Sequence, residues 1–583
     1  MKVSDYIVEY LIAKGVKHVF GYPGGMVTHL MDSFSKYENK IAAHVTYHEQ
    51  GAAFAACGYA QESGNIGVAY ATSGPGATNL ITGICDAYFD SIPTLFITGQ
   101  VNANELKGNY GVRQRGFQET DIISIVKSVT KYAAQIDDAN KIKYYLDYAV
   151  SEAISGRRGP VLLDIPMNIF RADIDVNELE GYENSSQNNE PIDVSGIIKE
   201  LDNACSPVLI IGNGVKTANA TKEMKELVDS LGIPAVTSMI AVDAISDSKY
   251  NYGFIGAYGD RTANFIVAKS DLVISIGSRL DIRQVGVKRE NFAPNAKIIR
   301  VDIDEGELEY KVHENEVQIR GDLRFAIKKL LGEAAKKNYK LNYSKWVGVC
   351  NVIKKKLTGI DCKLPNEMVG AISYFIPDDS VITTDVGQNQ VWVAQSFKLK
   401  NNQRMFFSGG HGAMGYSLPA AVGACLASRK KAYCFTGDGG LQMNIQELMT
   451  VAREKLPVKI IVFNNNALGM IRHFQEMYFN NNFYQTVPEG GFSSPDFRLI
   501  ANAYGIAYAA ATSVDDICKL PIELLTDDNP AFIEIILNEN TYIFPKLEFG
   551  KPNQDQEPLL DRRLYMELMN LNEYNVDSNI EDN

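Results

Sequence analysis

Short apolar runs alternate along the whole chain with longer stretches of amphipathic, helical pattern. The runs are rich in Val and Ile, and most end in Gly, Ser, Asp or Asn, as in NIGVAYATS, PVLIIGNG, KAYCFTG and VKIIVFNN. Such runs are typical of parallel strands covered by helices on both faces. The pattern therefore predicts an α/β fold of doubly wound parallel sheets, in which ligands bind at the carboxyl ends of the strands.

Two polar stretches interrupt this alternation, one at 180–193 and the other at 333–345. They leave blocks of ordinary domain size. We expect three parallel-sheet domains at 1–178, 190–335 and 360–545. A polar tail at 546–583 is expected to lie on the surface or over a cleft and to fray at its end.

Composition and charge narrow the class of protein. The net charge of −13 over 583 residues disfavours nonspecific binding of nucleic acid or of an anionic membrane surface. No apolar run approaches the roughly 18 residues that a membrane span needs. The eight cysteines form no CxxC pair and have no metal-ligand spacing. We expect a cytoplasmic protein that binds neither nucleic acid nor membrane.

A strand–turn–helix–strand pattern covers residues 431–465. KAYCFT is the first predicted strand, the turn follows at 437–440, and VKIIVF is the second strand. Asn444 and Glu447 have the spacing of a capping box for the intervening helix. A right-handed crossover brings both strand ends to one edge of the sheet, so we expect Asp438 and Asn465 to meet there.

The groups expected at that edge suit a metal-bound diphosphate. A carboxylate and an amide oxygen are hard ligands of the kind that Mg²⁺ accepts alongside phosphates. Glycines allow backbone N–H groups to approach a diphosphate, and the start of a helix favours negative charge. The stretch lacks GK[ST] and GxGxxG. Asp-Gly and Asn-Asn also form plain turns, so the stretch alone leaves that alternative open.

The same spacing of GDG, helix and NN resembles the diphosphate-binding motif of thiamine diphosphate (ThDP) enzymes. HVTYHEQGAAFAACGYAQESGNIGVAYATSGPGATN, at 44–79, resembles the pyrimidine-binding half of those enzymes. Over about residues 1–545 the chain resembles the catalytic subunit of acetolactate (acetohydroxyacid) synthase, whose order of motifs it shares: GYPGG, YHEQGAA, TSGPGATN, GFQETDI, GRRGPVLLDIP, TTDVGQNQ, SGGHGAMGYSLPAA, GDGGLQM and NNNALGMIRHFQE.

This resemblance implies a pyrimidine-binding domain first, a central FAD-type domain, and a diphosphate-binding domain last. It implies a homodimer or homotetramer with active sites between chains. The implied activity is that of a transferase: a ThDP- and Mg²⁺-dependent decarboxylating carboligase that takes a two-carbon unit from pyruvate and joins it to a second 2-oxo acid. FAD would be structural, because carboligation involves no net redox change.

The resemblance also assigns roles to residues. Glu49 would hydrogen-bond the aminopyrimidine, Met414 would hold the cofactor bent, and Gly25 and Gln118 would lie near the reacting carbon. Arg283 would hold the acceptor carboxylate. Mg²⁺ is assigned to Asp438, Asn465 and Ala467. The expected ThDP-binding residues are Glu49, Gly387, Gln388, Gly412, Met414, Gly437, Asp438, Gly439, Gly440, Asn465, Ala467, Leu468, Gly469 and Met470. The expected FAD-binding residues are Arg157, Gly212, Gly214, Gly256, Gly259, Arg279, Asp302 and Asp322.

Several positions around the acceptor side depart from the residues usual in that family. They are Met26 for Ala, Tyr47 for Arg, Met167 for Lys, Ile282 for Asp, Asn389 for His and Phe474 for Trp. Three alternatives therefore stay open. The acceptor could be another carbonyl compound, an aldehyde or a nucleotide-linked keto-sugar. The enzyme could be a flavin-dependent pyruvate oxidase. The chain could also be a non-catalytic paralogue, against which the intact Glu49, GDG and NN argue.

Overall fold

The computed structural model describes residues 1–183, 192–337, 339–400 and 402–573. Part of the expected linker, 184–191, lies outside the described residues. So does Asn338 in the second polar stretch, and so does the end of the expected tail, 574–583. In the described ranges, every helix is too short or too polar to cross a membrane.

Three six-stranded sheets organise the part of the chain that the structure describes, and their paired strands run parallel. The strand cores are buried on both faces, as in Val161–Ile165, Val208–Ile211 and Val458–Phe463. Apolar residues on both faces require helices above and below each sheet. The predicted α/β class with three parallel sheets is confirmed.

The first sheet has the order β2-β1-β3-β4-β6-β5. Its strands are β1 His18–Gly21, β2 Ala42–Val45, β3 Gly67–Ala71, β4 Thr94–Gln100, β5 Tyr132–Gln135 and β6 Pro160–Pro166. Its helices, α1 to α8 in chain order, are Val3–Ala13, Thr28–Lys36, Glu49–Ser63, Pro75–Asn79, Ile81–Phe89, Ile122–Val126, Ile142–Ile154 and Met167–Phe170.

The middle sheet has the order β12-β11-β10-β7-β8-β9. Its strands are β7 Pro207–Ile211, β8 Ala235–Thr237, β9 Asn251–Phe254, β10 Leu272–Ile276, β11 Lys297–Asp302 and β12 Val317–Arg320. The helices α9 to α17 are Ser195–Asn203, Gly214–Thr217, Thr221–Leu231, Arg261–Lys269, Ile282–Val285, Glu305–Glu309, Leu323–Ala334, Tyr339–Asn342 and Ser344–Leu357. Counted within the sheet, the order is 3-2-1-4-5-6, the arrangement of dinucleotide-binding folds.

The third sheet repeats the strand order of the first: β14-β13-β15-β16-β18-β17. Its strands are β13 Ser380–Thr384, β14 Arg404–Phe407, β15 Lys431–Gly437, β16 Val458–Asn464, β17 Ala507–Ala511 and β18 Ala531–Ile536. The helices α18 to α26 are Leu364–Phe375, Gln388–Ser396, Ser417–Ser428, Asp438–Met443, Leu448–Arg453, Gly469–Tyr478, Phe497–Ala503, Val514–Lys519 and Glu523–Thr526, and α27, in the tail, is Arg562–Asn570.

The chain forms two compact units. The first comprises Met1–Gln187, Phe375–Gln390 and Arg404–Thr541, and therefore holds the first and third sheets. Within it, Ala55 of α3 and Val422 of α20 share one apolar cluster with strand residues of both sheets. The first and third sheets consequently share one core.

The second unit comprises the described residues of 188–374, 391–403 and 542–583. It holds the middle sheet and the described part of the expected tail. That part of the tail packs into the core of the unit, because Leu568 of α27 is fully buried in the apolar cluster that contains Phe265. The guanidinium of Arg261 also donates to the carbonyl oxygens of Gln556 and Pro558, at 2.9 and 2.8 Å.

Candidate active site

The carboxyl ends of three adjacent strands, β13, β15 and β16, carry polar residues at one edge of the third sheet. Asp385 follows β13, Asp438 follows β15, and Asn465 follows β16. Neighbouring parallel strands end at the same edge, which is where ligands bind in doubly wound sheets. The sequence singled out Asp438 and Asn465 but missed Asp385, although it occupies the equivalent position after an apolar strand.

Asp438 is buried, with 3% of its surface exposed. Its carboxylate accepts a hydrogen bond from Ser494 Oγ at 2.8 Å, one from its neighbour Gly439 N at 3.0 Å, and one from the backbone N–H of Ala467. Burial outweighs these donors and raises the pKa of Asp438 to about 6. A buried carboxylate with only neutral partners gains from a cation at this position, because a cation favours its charged form.

The glycines show how closely the predicted ligand-binding segments approach one another. A Cβ on Gly439 would lie 2.7 Å from Leu468 Cδ2 and 3.4 Å from Met414 Cε. A Cβ on Gly469 would lie 2.0 Å from Gln388 Oε1. At both positions a side chain would have to displace the end of a flexible neighbour, so the contacts show that segments distant in sequence meet beside Asp438.

The amide of Asn465 belongs to the same cluster. Its Nδ2 donates to Gln388 Oε1 at 3.2 Å, and Gln388 Nε2 donates to the carbonyl of Thr541 at 2.8 Å. The structure thus brings together most of the residues predicted to bind diphosphate and metal. They are Gln388, Met414, Asp438, Gly439, Asn465, Ala467, Leu468 and Gly469, with Gly387, Gly437, Gly440 and Met470 beside them in the chain, whereas a Cβ on Gly412 would meet no atom within 4 Å.

Two local details differ from the sequence-based expectation. Asp438 begins helix α21, so GDGG is a strand end followed by the first turn of a helix and not a free turn. The predicted capping box is also wrong. Asn444 Nδ2 donates to the carbonyl of Gly415 at 2.9 Å. Glu447 accepts from the backbone N–H groups of Tyr47 and His48, at 2.8 and 3.1 Å. Both side chains therefore bond to residues distant in the sequence and do not cap the helix.

Glu49 lies in a second cluster, at the start of α3. It is 7% exposed, and its Oε2 accepts a hydrogen bond from Asn79 Nδ2 at 2.9 Å. Gly76 approaches its other oxygen: a Cβ there would lie 3.2 Å from Glu49 Oε1. Asn79 was not singled out from the sequence, although it ends the motif TSGPGATN. The helix N-cap is His48, whose Nδ1 accepts from Gln50 N at 3.1 Å.

Glu447 connects α22 to the start of the helix that carries Glu49, and burial raises its pKa to about 7. The unfolded chain releases this proton near pH 4.5, whereas the folded protein keeps it until about pH 7. Glu447 should therefore lower the stability progressively as pH rises between these values. The effect is on the order of 3 kcal/mol, at about 1.4 kcal/mol per pH unit.

Glu447→Gln should remove this pH dependence, because the amide oxygen still accepts from the two backbone donors and Thr450 can reverse its hydrogen bond. The midpoint of thermal unfolding of both proteins, measured from pH 4.5 to 7.5, checks this. We expect the wild type to lose stability relative to the variant as pH rises. Parallel curves would contradict the expectation.

The two residues expected near the reacting carbon, Gln118 and Gly25, both lie in the first unit. Gln118 has φ +62 and touches Gly74, where a Cβ would lie 2.9 Å from Gln118 Cβ. Gly25 begins a turn of 3₁₀ helix, Gly25–Val27. A cavity of about 360 Å³ next to these residues is lined by Met26, Met167, Glu105 and Arg115, among others. Two of the departures from the family pattern, Met26 and Met167, therefore share one cavity.

The expected flavin-binding residues of the second unit gather at the carboxyl edge of the middle sheet. Gly212 follows β7 and Gly277 follows β10, the two strands between which the strand order reverses. A Cβ on Gly212 would lie 2.0 Å from the carbonyl oxygen of Gly277. Such a backbone approach at the reversal point is where dinucleotides bind in this topology.

The other expected flavin and acceptor residues are placed as follows. Gly214 begins α10, Asp302 ends β11, and Asp322 caps α15. Gly256 has φ +112, and its carbonyl accepts a hydrogen bond from Gly259 N. Arg279 forms an ion pair with Asp281 at 3.1 Å. Arg283 is exposed and lies over the ring of Tyr258. Arg157, in the first unit, donates to Ser91 Oγ at 2.9 Å.

Comparison with known proteins agrees with this arrangement. Three family models match the chain in order: the N-terminal TPP binding domain of thiamine pyrophosphate enzymes at 1–125, their central domain at 194–330, and their C-terminal TPP binding domain at 385–535. The fold and the matching family models therefore identify the chain as a ThDP-dependent enzyme. The expected cofactor pair, ThDP with Mg²⁺, is confirmed at the level of the family.

Relatives make the assignment more specific. The chain is 35% identical to the acetolactate synthase isozyme 2 large subunit of Escherichia coli over 565 residues, covering 95% of this chain and 99% of the relative. It is 36% identical over 584 residues to the acetolactate synthase large subunit of Corynebacterium glutamicum, covering 97% and 92%. For the Lactococcus lactis large subunit the identity is 33% over 564 residues, covering 94% of each. The chain belongs to the acetolactate synthase large subunit family of thiamine pyrophosphate enzymes.

Proposed function

We propose that this chain decarboxylates pyruvate and joins the remaining two-carbon unit to a second 2-oxo acid, which makes it an acetolactate synthase. When bound, ThDP would supply the nucleophilic carbon and the electron sink that decarboxylation of pyruvate needs. The observation that carries the proposal is the buried cluster of Asp438, Ala467 and Asn465 at the carboxyl ends of β15 and β16. It has the donor set that a Mg²⁺-diphosphate requires.

Within this cluster, the Asp438 carboxylate, the Asn465 amide oxygen and the backbone carbonyl of Ala467 would hold Mg²⁺. Gln388 supports this role for Asn465, because it engages the Nδ2 group at 3.2 Å. The glycines of the cluster, with Leu468 and Met470, would surround the diphosphate. Met414, whose terminal methyl reaches Gly439, would set the shape of the bound cofactor.

Glu49 would hold and pass a proton at the aminopyrimidine ring. Its burial and its hydrogen bond from Asn79 fix the direction of the carboxylate, which a proton-transfer group requires. Glu49 and Asp438 have separate sets of partners. We infer that the complete site takes its pyrimidine side from one copy of the chain and its diphosphate side from another, so the working form is at least a homodimer. Gly25 and Gln118 would then lie near the reacting carbon.

The central domain would bind FAD as a structural group. The strand order of the middle sheet and the contact of Gly212 with Gly277 at its reversal point support this assignment. Asp302 and Asp322 follow the neighbouring strands β11 and β12 at the same edge. Arg283 would hold the acceptor carboxylate, because a guanidinium binds a carboxylate through two parallel hydrogen bonds.

Two further features belong to the proposal. We place the domains at 1–178, 190–335 and 360–545, with the tail from 546, bounds that the three separate sheets support. We also propose a cytoplasmic location, which the eight unpaired cysteines support.

Product analysis tests the proposed function. Purified protein with ThDP, Mg²⁺ and pyruvate as the sole substrate should release acetolactate and CO₂ in equal amounts at a steady rate. The assay is run with and without added FAD, and flavin that co-purifies and is released on denaturation would support the flavin site. Slow CO₂ release that accelerates only when an aldehyde or another carbonyl compound is added would contradict the acetolactate assignment. Consumption of O₂ in step with pyruvate would do the same.

A further inference from the structure

We propose that Asp86 and Asp90, at the end of helix α5, are positioning residues for Met414. They lie at the end of a helix that packs on the first sheet, and they hold the segment 408–413, which follows β14 of the third sheet and leads into Met414. The proposal rests on the proposed role of Met414 beside the cofactor. It adds a link, within one chain, from the pyrimidine-binding domain to the residue that shapes the cofactor.

Asp90 fixes the first part of this segment. Its two carboxylate oxygens accept hydrogen bonds from the backbone N–H groups of Gly409 and Gly410, each at 2.7 Å. Asp90 is 4% exposed. Gly410 lies so close that a Cβ there would be 2.8 Å from Phe89 Cβ and 3.0 Å from Asp90 Oδ1. The next ring, His411, stacks on Phe89 with centroids 5.7 Å apart.

Asp86 fixes the last part of the segment through Ser408. The hydroxyl of Ser408 donates to Asp86 Oδ1 and accepts from the backbone N–H of Ala413 at 2.8 Å. This relay ends one residue before Met414. Among the described residues, the second oxygen of Asp86 has no hydrogen-bond partner. Burial, with the nearby charge of Asp90, raises the pKa of Asp86 well above its usual range.

The residue after Met414 is held from the other direction. Gly415 N donates to Asp385 Oδ1 at 2.9 Å, and Asn444 Nδ2 donates to the carbonyl of Gly415 at 2.9 Å. The segment before Met414 is therefore held by residues of the first-sheet domain, and the residue after it is held by residues of the third-sheet domain. Its terminal methyl reaches Gly439, which follows Asp438.

Simple packing of two domains does not require this arrangement. Two buried carboxyl groups cost free energy that apolar side chains would not, so their retention needs a geometric reason. What they supply is a fixed direction for three backbone N–H groups, those of residues 409, 410 and 413. Apolar contacts cannot supply this, because they have no directionality.

Asp90→Asn tests the proposal, because the amide places an NH₂ group against one of the two backbone donors. We expect ThDP, titrated calorimetrically in the presence of Mg²⁺, to bind at least tenfold more weakly. We also expect the proton on C2 of bound ThDP to exchange with solvent at least tenfold more slowly, as measured by quenched-flow NMR. Asp86→Asn keeps an oxygen that accepts from Ser408, so its losses should be clearly smaller.

The matched control is Asp121→Asn, which alters a carboxylate of the same domain that also accepts a backbone N–H, from Ser124 at 3.1 Å, in the cap of α6. It should leave ThDP affinity and C2-proton exchange unchanged. Unchanged affinity and exchange in Asp90→Asn would overturn the proposal. Equal losses in Asp90→Asn and Asp121→Asn would also overturn it, because both would then reflect general destabilisation.

Should Asp90→Asn not fold, His411→Ala provides a second variant, since it removes the exposed ring that stacks on Phe89. A severalfold slower C2-proton exchange at an unchanged unfolding temperature would support the proposal, and wild-type exchange would overturn it. These measurements need no acceptor substrate. Suppose that the wild-type protein binds ThDP and exchanges the C2 proton of ThDP but makes no acetolactate. This result would contradict the proposed function and leave the positioning role of Asp86 and Asp90 intact.

Discussion

Replacing Asp438 with alanine should abolish Mg²⁺-dependent binding of ThDP at concentrations that saturate the wild type, a loss of at least about 100-fold in affinity. Asp438 is the only carboxylate among the proposed metal ligands, and it is 3% exposed. A hard divalent cation depends on anionic oxygen ligands, and the remaining amide and carbonyl oxygens carry no charge. Titration calorimetry of ThDP at fixed Mg²⁺ measures the loss, and turnover should fall with it.

Two controls separate loss of the metal site from loss of the fold. Asp515→Ala removes an exposed carboxylate of the same domain and should bind ThDP as the wild type does. Asp438→Asn, without metal at pH 7, should unfold at a temperature no lower than that of the wild type. The reason is that burial raises the pKa of Asp438 to about 6, so the wild type carries a costly buried charge at pH 7. Unchanged ThDP affinity in Asp438→Ala would refute the proposed metal site.

Replacing Glu49 with glutamine should leave ThDP bound but reduce turnover by about 10²- to 10⁴-fold, the usual contribution of a general acid–base group. Glutamine has the same shape but cannot take up and return a proton at this position. Steady-state acetolactate formation, measured with ThDP saturating, gives the turnover. Slower exchange of the C2 proton of bound ThDP would locate the defect before substrate addition.

Glu62→Gln is the matched control, because Glu62 belongs to the same helix and is altered in the same way. Its carboxylate pairs with Arg404 and Lys430, at 3.5 and 3.4 Å, away from Asn79 and Gly76. We expect its turnover to stay within a few-fold of the wild type. A near-normal rate in Glu49→Gln would remove Glu49 from the proposed mechanism. A rate lost equally in both variants would point to damage to α3.

The sequence by itself determined the class of fold and brought together the two side chains of the proposed metal site. Runs of Val and Ile that end in Gly, Asp or Asn required parallel strands buried on both faces. Right-handed crossovers then placed Asp438 and Asn465 at one edge. β15 and β16 follow the predicted strands to within one residue at their carboxyl ends. These features depend on periodicity and on local chirality, which a single sequence carries.

Other features depended on contacts between residues far apart in the chain, which periodicity does not encode. The capping box at Asn444 and Glu447 failed because Gly415 and the backbone at Tyr47 and His48 offered better partners. Sequence spacing showed the local alternative and gave no sign of these competitors.

The tertiary structure alone decided how Met414 is held. Asp86 and Asp90 lie more than 300 residues before the segment they fix, and nothing in their own surroundings in the sequence marks them. The same applies to Asp385, which becomes significant once β13 lies beside β15. The strand order of the middle sheet, and with it the reversal point at Gly212 and Gly277, likewise follows from the pairing of strands and not from any one of them. Hydrogen-bond direction and strand pairing are properties of the folded chain, whereas the pattern of apolar residues in the sequence is enough to predict the positions of strands and helices.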